Sequence, residues 1–386
     1  KIMTNQLVIN SKLPDVGTSI FAVMSKMAND YNAINLSQGF PDFNCSEHLV
    51  ELVNDFMKKG FNQYAPMPGT VELRKQISLK VKRDYGRNYD FEKEITVTAG
   101  ATQALYTAFS SIINKDDEVI IFEPAYDSYI PAIIANGGIP ISLKLNTNDF
   151  SIPWEEVEKS VTNKTKCIVI NSPHNPTGAI LKQDDILRLE KIVMNTNIFL
   201  ISDEVYEHII FDNQVHYSFA RYDELAKRSF IISSFGKTFH TTGWKMGYCC
   251  APENLTAEFR KFHQFIVFAV NTPIQLAVAE FLKDAKNIYS LPSFYQSKRD
   301  LFSSLLLDSK FLLSKCDGTY FQLLDYSKIS NKTDLEFSEY LTKEIGVAVI
   351  PLSPFYKNGS NDKLIRVCFA KKDEVLKQAA EKLIRI

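Results

Sequence analysis

SSFGKTFHTTGWKMG, residues 233–247, ends an apolar run, Phe230-Ile231-Ile232, with hydroxyl residues and a glycine, then presents Lys237 and, eight positions on, Lys245. Two lysines at the end of a buried strand cost desolvation energy unless an anion or a carbonyl compound meets them. The stretch therefore reads as a strand that delivers amines to a binding site. Gly236-Lys237-Thr238 does not extend to a phosphate loop, because Ile231 stands where that motif needs its first glycine. A lysine whose amine condenses with an aldehyde is the better reading.

Outward from this stretch, short apolar or β-branched runs alternate with helix-period segments. Strands are expected at 95–98, 118–122, 139–145, 167–171, 198–202, 230–234 and 246–250, with helices at 102–113, 129–135 and 186–194 between them. The pattern implies an α/β protein whose mostly parallel seven-stranded sheet lies between helices, with ligands at the carboxyl ends of the strands. After Asp284 the pattern changes to a helix at 295–307, strands at 319–324, 347–350 and 364–369, and a last helix at 373–385. We expect a large domain over 41–283 and a smaller α+β domain built from 1–40 and 284–386.

Composition narrows the function. With 44 Lys+Arg against 45 Asp+Glu, the chain has no basic field to hold nucleic acid or an anionic membrane surface. No apolar stretch approaches the ~18 residues of a membrane span, and the first ten residues carry no long apolar signal-like run. Cys45, Cys167, Cys249, Cys250, Cys316 and Cys368 show no CxxC spacing, which disfavours a metal site and fits a reducing compartment. The expectation is a cytoplasmic protein acting on small molecules.

If the aldehyde is pyridoxal phosphate, other groups are required. A carboxylate must face the ring nitrogen, and Asp203 ends a strand three residues before Tyr206, whose phenol suits the ring hydroxyl; taken alone, the pair reads more readily as a helix cap and a packing aromatic. The phosphate needs amides at a helix start, offered by Ala101 and Thr102, with Ser234 and Lys245 to complete the cradle; a plain N-cap is the alternative. Tyr126, just beyond a strand, has a face for the ring to stack on, although such aromatics are often simple packing. Asn171-Ser172-Pro173-His174-Asn175-Pro176-Thr177-Gly178 is a rigid turn that holds out Asn175 as a donor. Arg366, within Leu364-Ile365-Arg366-Val367-Cys368-Phe369, is a bidentate donor suited to a substrate carboxylate, or else one half of a buried ion pair.

Together these motifs make the chain resemble the pyridoxal-phosphate aminotransferases of the aspartate aminotransferase fold, over about residues 35–369. Leu36-Ser37-Gln38-Gly39-Phe40-Pro41-Asp42-Phe43 and Gly236-Lys237-Thr238-Phe239 resemble the methionine and the kynurenine or glutamine-type enzymes in particular. The resemblance implies that Lys237 binds the cofactor covalently and moves the substrate proton, that Asp203 pairs with the ring nitrogen, and that Tyr206 and Asn175 bind the ring oxygen. It implies that Tyr126 stacks on the ring, and that Arg366, Asn175 and the Gly39 backbone hold the substrate carboxylate. It further implies a homodimer with shared active sites, in which Tyr64 reaches the phosphate of the partner subunit.

Aspartate-specific relatives use a further arginine, and the segment 264–275 contains none, which disfavours a dicarboxylate donor. Phe21, Phe40, Tyr126 and Phe268 are candidates for an apolar substrate pocket, with core packing as the alternative for Phe21 and Phe268. Kynurenine-type relatives carry a histidine where Ala269 stands. The implied reaction moves the amino group of an apolar, aromatic or sulfur-containing L-amino acid, methionine-like by preference, to a 2-oxo acid by way of pyridoxamine phosphate. A cysteine-S-conjugate β-lyase on the same scaffold and a non-catalytic binding protein are the alternatives.

Overall fold

Seven strands of four to seven residues supply the frame. In the computed structural model, which describes residues 9–386, they lie in the order Ile95–Thr98, Gly247–Cys250, Ser229–Ser234, Phe199–Asp203, Thr165–Asn171, Glu118–Glu123 and Ile139–Lys144. Gly247–Cys250 runs antiparallel to both neighbours and the other pairings are parallel. The central strands are buried almost throughout, as expected of a sheet covered on both faces. The expected mostly parallel sheet is therefore present, with each strand within two residues of its sequence-based limits.

The second sheet is antiparallel, in the order Ile350–Pro351, Leu364–Cys368, Phe321–Asp325 and Leu312–Leu313. The single strand expected at 347–350 divides in two. Val347–Ala348 pairs with Ile34–Asn35, whereas Ile350–Pro351 joins the edge of Leu364–Cys368. An apolar run of that length shows no break in sequence, because all four residues are buried whichever sheet they join.

One apolar cluster gathers Leu36 with residues from Leu291 to Leu383, and it also takes in Tyr206, Ile209 and Phe211. Conversely, Ile350, Leu352 and Phe355 pack into the cluster under the large sheet. We therefore propose the division at residues 40/41 and 283/284 as one between sheets, across which apolar packing is shared. Its consequence is positional: the N-terminal segment, the strand ends of the large sheet and the Arg366 strand meet along one seam.

Candidate active site

The seam holds a cavity of about 240 Å³. Phe21, Gly39, Ala101, Thr102, Tyr126, Asn175, Asp203, Tyr206, Ser234, Lys237, Lys245 and Arg366 all line it, as does Phe40. The crossovers of a parallel sheet return every chain to the same edge, so residues far apart in sequence share one wall.

Asp203 closes its strand at 3 % exposure, and the Tyr129 hydroxyl donates to its Oδ2 at 2.6 Å. Burial raises its pKa to about 6, against the opposing effect of that hydrogen bond. Asn171 ties this strand end to the turn that follows it: its Nδ2 donates to the Asp203 carbonyl at 2.9 Å and its Oδ1 accepts from the Asn175 amide at 2.9 Å. The rigid turn read from sequence is thus anchored on the neighbouring strand.

Lys237 lies in the one-turn helix Phe235–Thr238 directly after the Ser229–Ser234 strand. Its Nζ donates to the Gly39 carbonyl at 3.2 Å and to the Tyr320 hydroxyl at 3.1 Å. Burial lowers its pKa to about 8, with Arg366 and Lys245 acting in the same direction. An amine so shifted spends more of its time as the free base, the form that attacks carbonyls and accepts protons.

At the far end of the cavity, Gly100 opens the helix Gly100–Ile112 with φ +77°, a conformation that favours glycine. A Cβ on Gly100 would lie 3.2 Å from Lys245 Nζ, and one on Gly247 would lie 2.8 Å from the Ser233 carbonyl and 3.1 Å from the Ala101 nitrogen. The backbone here is closed to side chains. It leaves helix-start amides beside a lysine, a cradle for an anion.

Arg366 is 1 % exposed and makes no ion pair among the described residues, so the alternative of a structural salt bridge does not hold. Its Nη1 donates to Asn175 Oδ1 at 2.8 Å and its Nη2 to the Ser37 carbonyl at 3.2 Å, whereas Nε has no partner. The guanidinium rests 3.9 Å from the ring centroid of Phe321, with Phe21 and Phe355 at 5.1 and 5.6 Å. A buried, unpaired cation on aromatic faces suits an anionic ligand.

Two sequence candidates lie elsewhere. Tyr64, 83 % exposed, and Phe268, 47 % exposed, pack edge to face at 5.3 Å outside the cavity. Phe268 follows the helix Glu253–Ile266 and does not line the cavity of its own chain. Sequence reasoning missed Tyr129, Tyr320, Phe321 and Asn171. Phe321 is placed only by strand pairing, which sets Leu323 opposite Arg366, so that the two-residue period brings Phe321 to the same face.

Pyridoxal phosphate fits these residues. A buried carboxylate that makes no ion pair among the described residues suits a protonated ring nitrogen, the closed backbone cradle suits a phosphate, and a depressed lysine lies in the same cavity. Sequence and structure comparisons agree with the chemistry. The model of the family "Aminotransferase class I and II" matches residues 31–383. A methionine aminotransferase of Escherichia coli is 47 % identical over 380 residues, covering 98 % of each chain. A kynurenine–oxoglutarate transaminase of Dictyostelium discoideum is 34 % identical, covering 100 % of this chain and 98 % of its own. A crystal structure of an Escherichia coli methionine aminotransferase superposes with a TM-score of 0.97 at 46 % identity, covering 99 % of this chain and all of its own.

Proposed function

The chain belongs to the class I and II aminotransferases and is a pyridoxal-phosphate-dependent enzyme, and from that premise we propose that its amino donor is an L-amino acid with an apolar or thioether side chain, methionine above others. The observation that carries this reading is Arg366: one buried cation for one carboxylate, surrounded by Phe21, Phe321 and Phe355. The other cations that line the cavity among the described residues are Lys237, at the reacting end, and Lys245, at the anion cradle. Neither is free to meet a side-chain carboxylate, whereas aromatic walls favour a thioether.

When bound, pyridoxal phosphate supplies an electron sink for charge developing at the substrate α-carbon. In this reading Lys237 holds the cofactor covalently and, once free, carries the proton at the α-carbon. Asp203 keeps the ring nitrogen protonated, and Tyr129 keeps Asp203 aimed. Tyr206 and Asn175 bind the ring oxygen, Tyr126 covers the ring, and Ala101, Thr102, Ser234 and Lys245 hold the phosphate. Arg366, Asn175 and the Gly39 backbone orient the carboxylate.

The test is turnover with methionine and with aspartate against a common 2-oxo acid. Methionine should exceed aspartate in kcat/KM by about a hundredfold or more, because aspartate would place an unpaired carboxylate among aromatic rings. Equal values would refute the substrate reading, and release of ammonia and pyruvate from a cysteine conjugate without an acceptor would point to elimination instead.

A homodimer in the cytoplasm completes the proposal. Its support is the exposed aromatic set Tyr64, Phe265 and Phe268, together with six free cysteines, five of them buried. No described helix is long and apolar enough to cross a membrane. If Tyr64 serves the partner's site, refolding a mixture of Tyr64→Ala and Lys237→Ala chains should recover about a quarter of wild-type activity, since half of the dimers are hybrids with one intact site. Recovery of nothing beyond the separate variants would reject the shared site.

A further inference from the structure

Between the Ser37–Phe40 loop and the cavity floor, four successive carbonyls accept hydrogen bonds from other segments. Arg366 donates to Ser37, Lys371 to Gln38 and Phe40, and both Tyr320 and Lys237 to Gly39. Tyr320 is the least expected member. Its ring is fully buried, its hydroxyl donates to the Gly39 carbonyl at 2.6 Å, and the same oxygen accepts from Lys237 Nζ at 3.1 Å. Its ring stands edge to face with Tyr206 at 5.2 Å, and Lys237 Nζ lies 5.6 Å from each of the two ring centroids.

We propose that Tyr320 is a positioning residue for transamination: anchored on the Gly39 carbonyl, its hydroxyl receives the Lys237 amine whenever that amine is not bonded to the cofactor, and holds it at the cavity wall beside Tyr206. The proposal rests on the reading of Lys237 given above. A free lysine has four flexible bonds, and its proton transfer is efficient only if the amine stays within hydrogen-bond reach of the α-carbon. The two oxygens restrict it without neutralising it, because neither is a carboxylate. Since the Gly39 backbone also borders the substrate carboxylate site, one short loop connects the position of the amine with that of the substrate.

The charged and titratable groups facing Lys237 are Asp203, Lys245, Arg366, Cys368, Tyr206 and Tyr320. The Tyr320 oxygen accepts from the ammonium form and so favours it; its removal lowers the lysine's titration midpoint. The measurement uses full-length, cofactor-free protein, pulsed with acetic anhydride across the lysine titration range and read as acetylation of the Lys237 peptide by mass spectrometry. The unmodified protein should show a midpoint of about 8. Tyr320→Phe, which keeps the ring, should lower it by about one unit, and in the loaded enzyme should lower kcat about tenfold with KM and cofactor affinity unchanged.

Tyr320→3-fluorotyrosine retains ring and hydroxyl and weakens the oxygen as an acceptor, so it should shift the midpoint the same way by less. An unmoved midpoint in both variants overturns the proposal. A rise of the Tyr320→Phe midpoint to the ordinary lysine value would report a lost fold, and the fluorinated variant then decides alone. Because the midpoint is read without cofactor, its failure is distinct from a failure of the wild type to transaminate, which would reject the functional reading.

Discussion

Replacing Lys237 with alanine is expected to reduce turnover by about four orders of magnitude or more, the scale seen when the residue at the centre of a covalent mechanism is lost. Two properties of this lysine are removed at once: a buried amine held near pKa 8, and its fixed place between Gly39 and Tyr320. Lys245, the other lysine that lines the cavity among the described residues, cannot substitute, because it lies at the anion cradle beside Gly100. The variant should still bind pyridoxal phosphate through the cradle and Asp203, but without the absorption band of lysine-bound cofactor, and borohydride should no longer fix the cofactor to the 237-containing peptide. Full turnover by this variant would remove Lys237 from the mechanism.

Asp203→Asn should separate activity from stability. Asparagine cannot hold the ring nitrogen protonated, and we expect turnover to fall about a thousandfold or more, comparable to losing a preorganised electrostatic partner. The cofactor-free protein should become more stable. The pKa of Asp203 is raised from 3.8 to about 6 in the folded state, so between those values the folded chain holds more protons than the unfolded one. Stability is therefore lost as pH rises through that window. At neutral pH the buried charge costs about 3 kcal/mol, and asparagine, which still accepts from Tyr129, removes that cost; below about pH 4 the gain should vanish. Chemical denaturation of both proteins at pH 7 and pH 4 measures the difference. A variant less stable than wild type at pH 7, or one with unchanged turnover, contradicts the assignment.

The seven strands of the large sheet were legible because each is a short apolar run punctuated by polar strand ends, and a parallel sheet is the arrangement such alternation permits. Lys237, Asp203 and Arg366 were legible for a related reason: each is a polar residue that interrupts or ends an apolar pattern, where burial is costly without a ligand; Asn175 was legible from the two prolines and the glycine of its turn. The strand expected at 347–350 was misread in one respect only, its division between two sheets, because buried residues look alike whichever sheet receives them.

Residues that act through a neighbour left no such mark. Tyr129 lies 74 positions from the carboxylate it donates to, and Tyr320 lies 83 positions from the lysine it receives. As sequence, each is a tyrosine in an apolar segment, indistinguishable from packing.

What the sequence by itself determined is therefore the set of chemical groups: an amine, a carboxylate and an anion cradle at element ends, and a guanidinium inside a short apolar strand, each marked by the local pattern. What only the tertiary structure decided is the company each group keeps, namely the hydroxyl on Asp203, the carbonyl and phenol on Lys237 and the aromatic face under Arg366. The physical reason is range. Strand and helix periods act over a few residues, whereas the contacts that set a pKa or aim a side chain arise only where the packing of distant segments closes the seam.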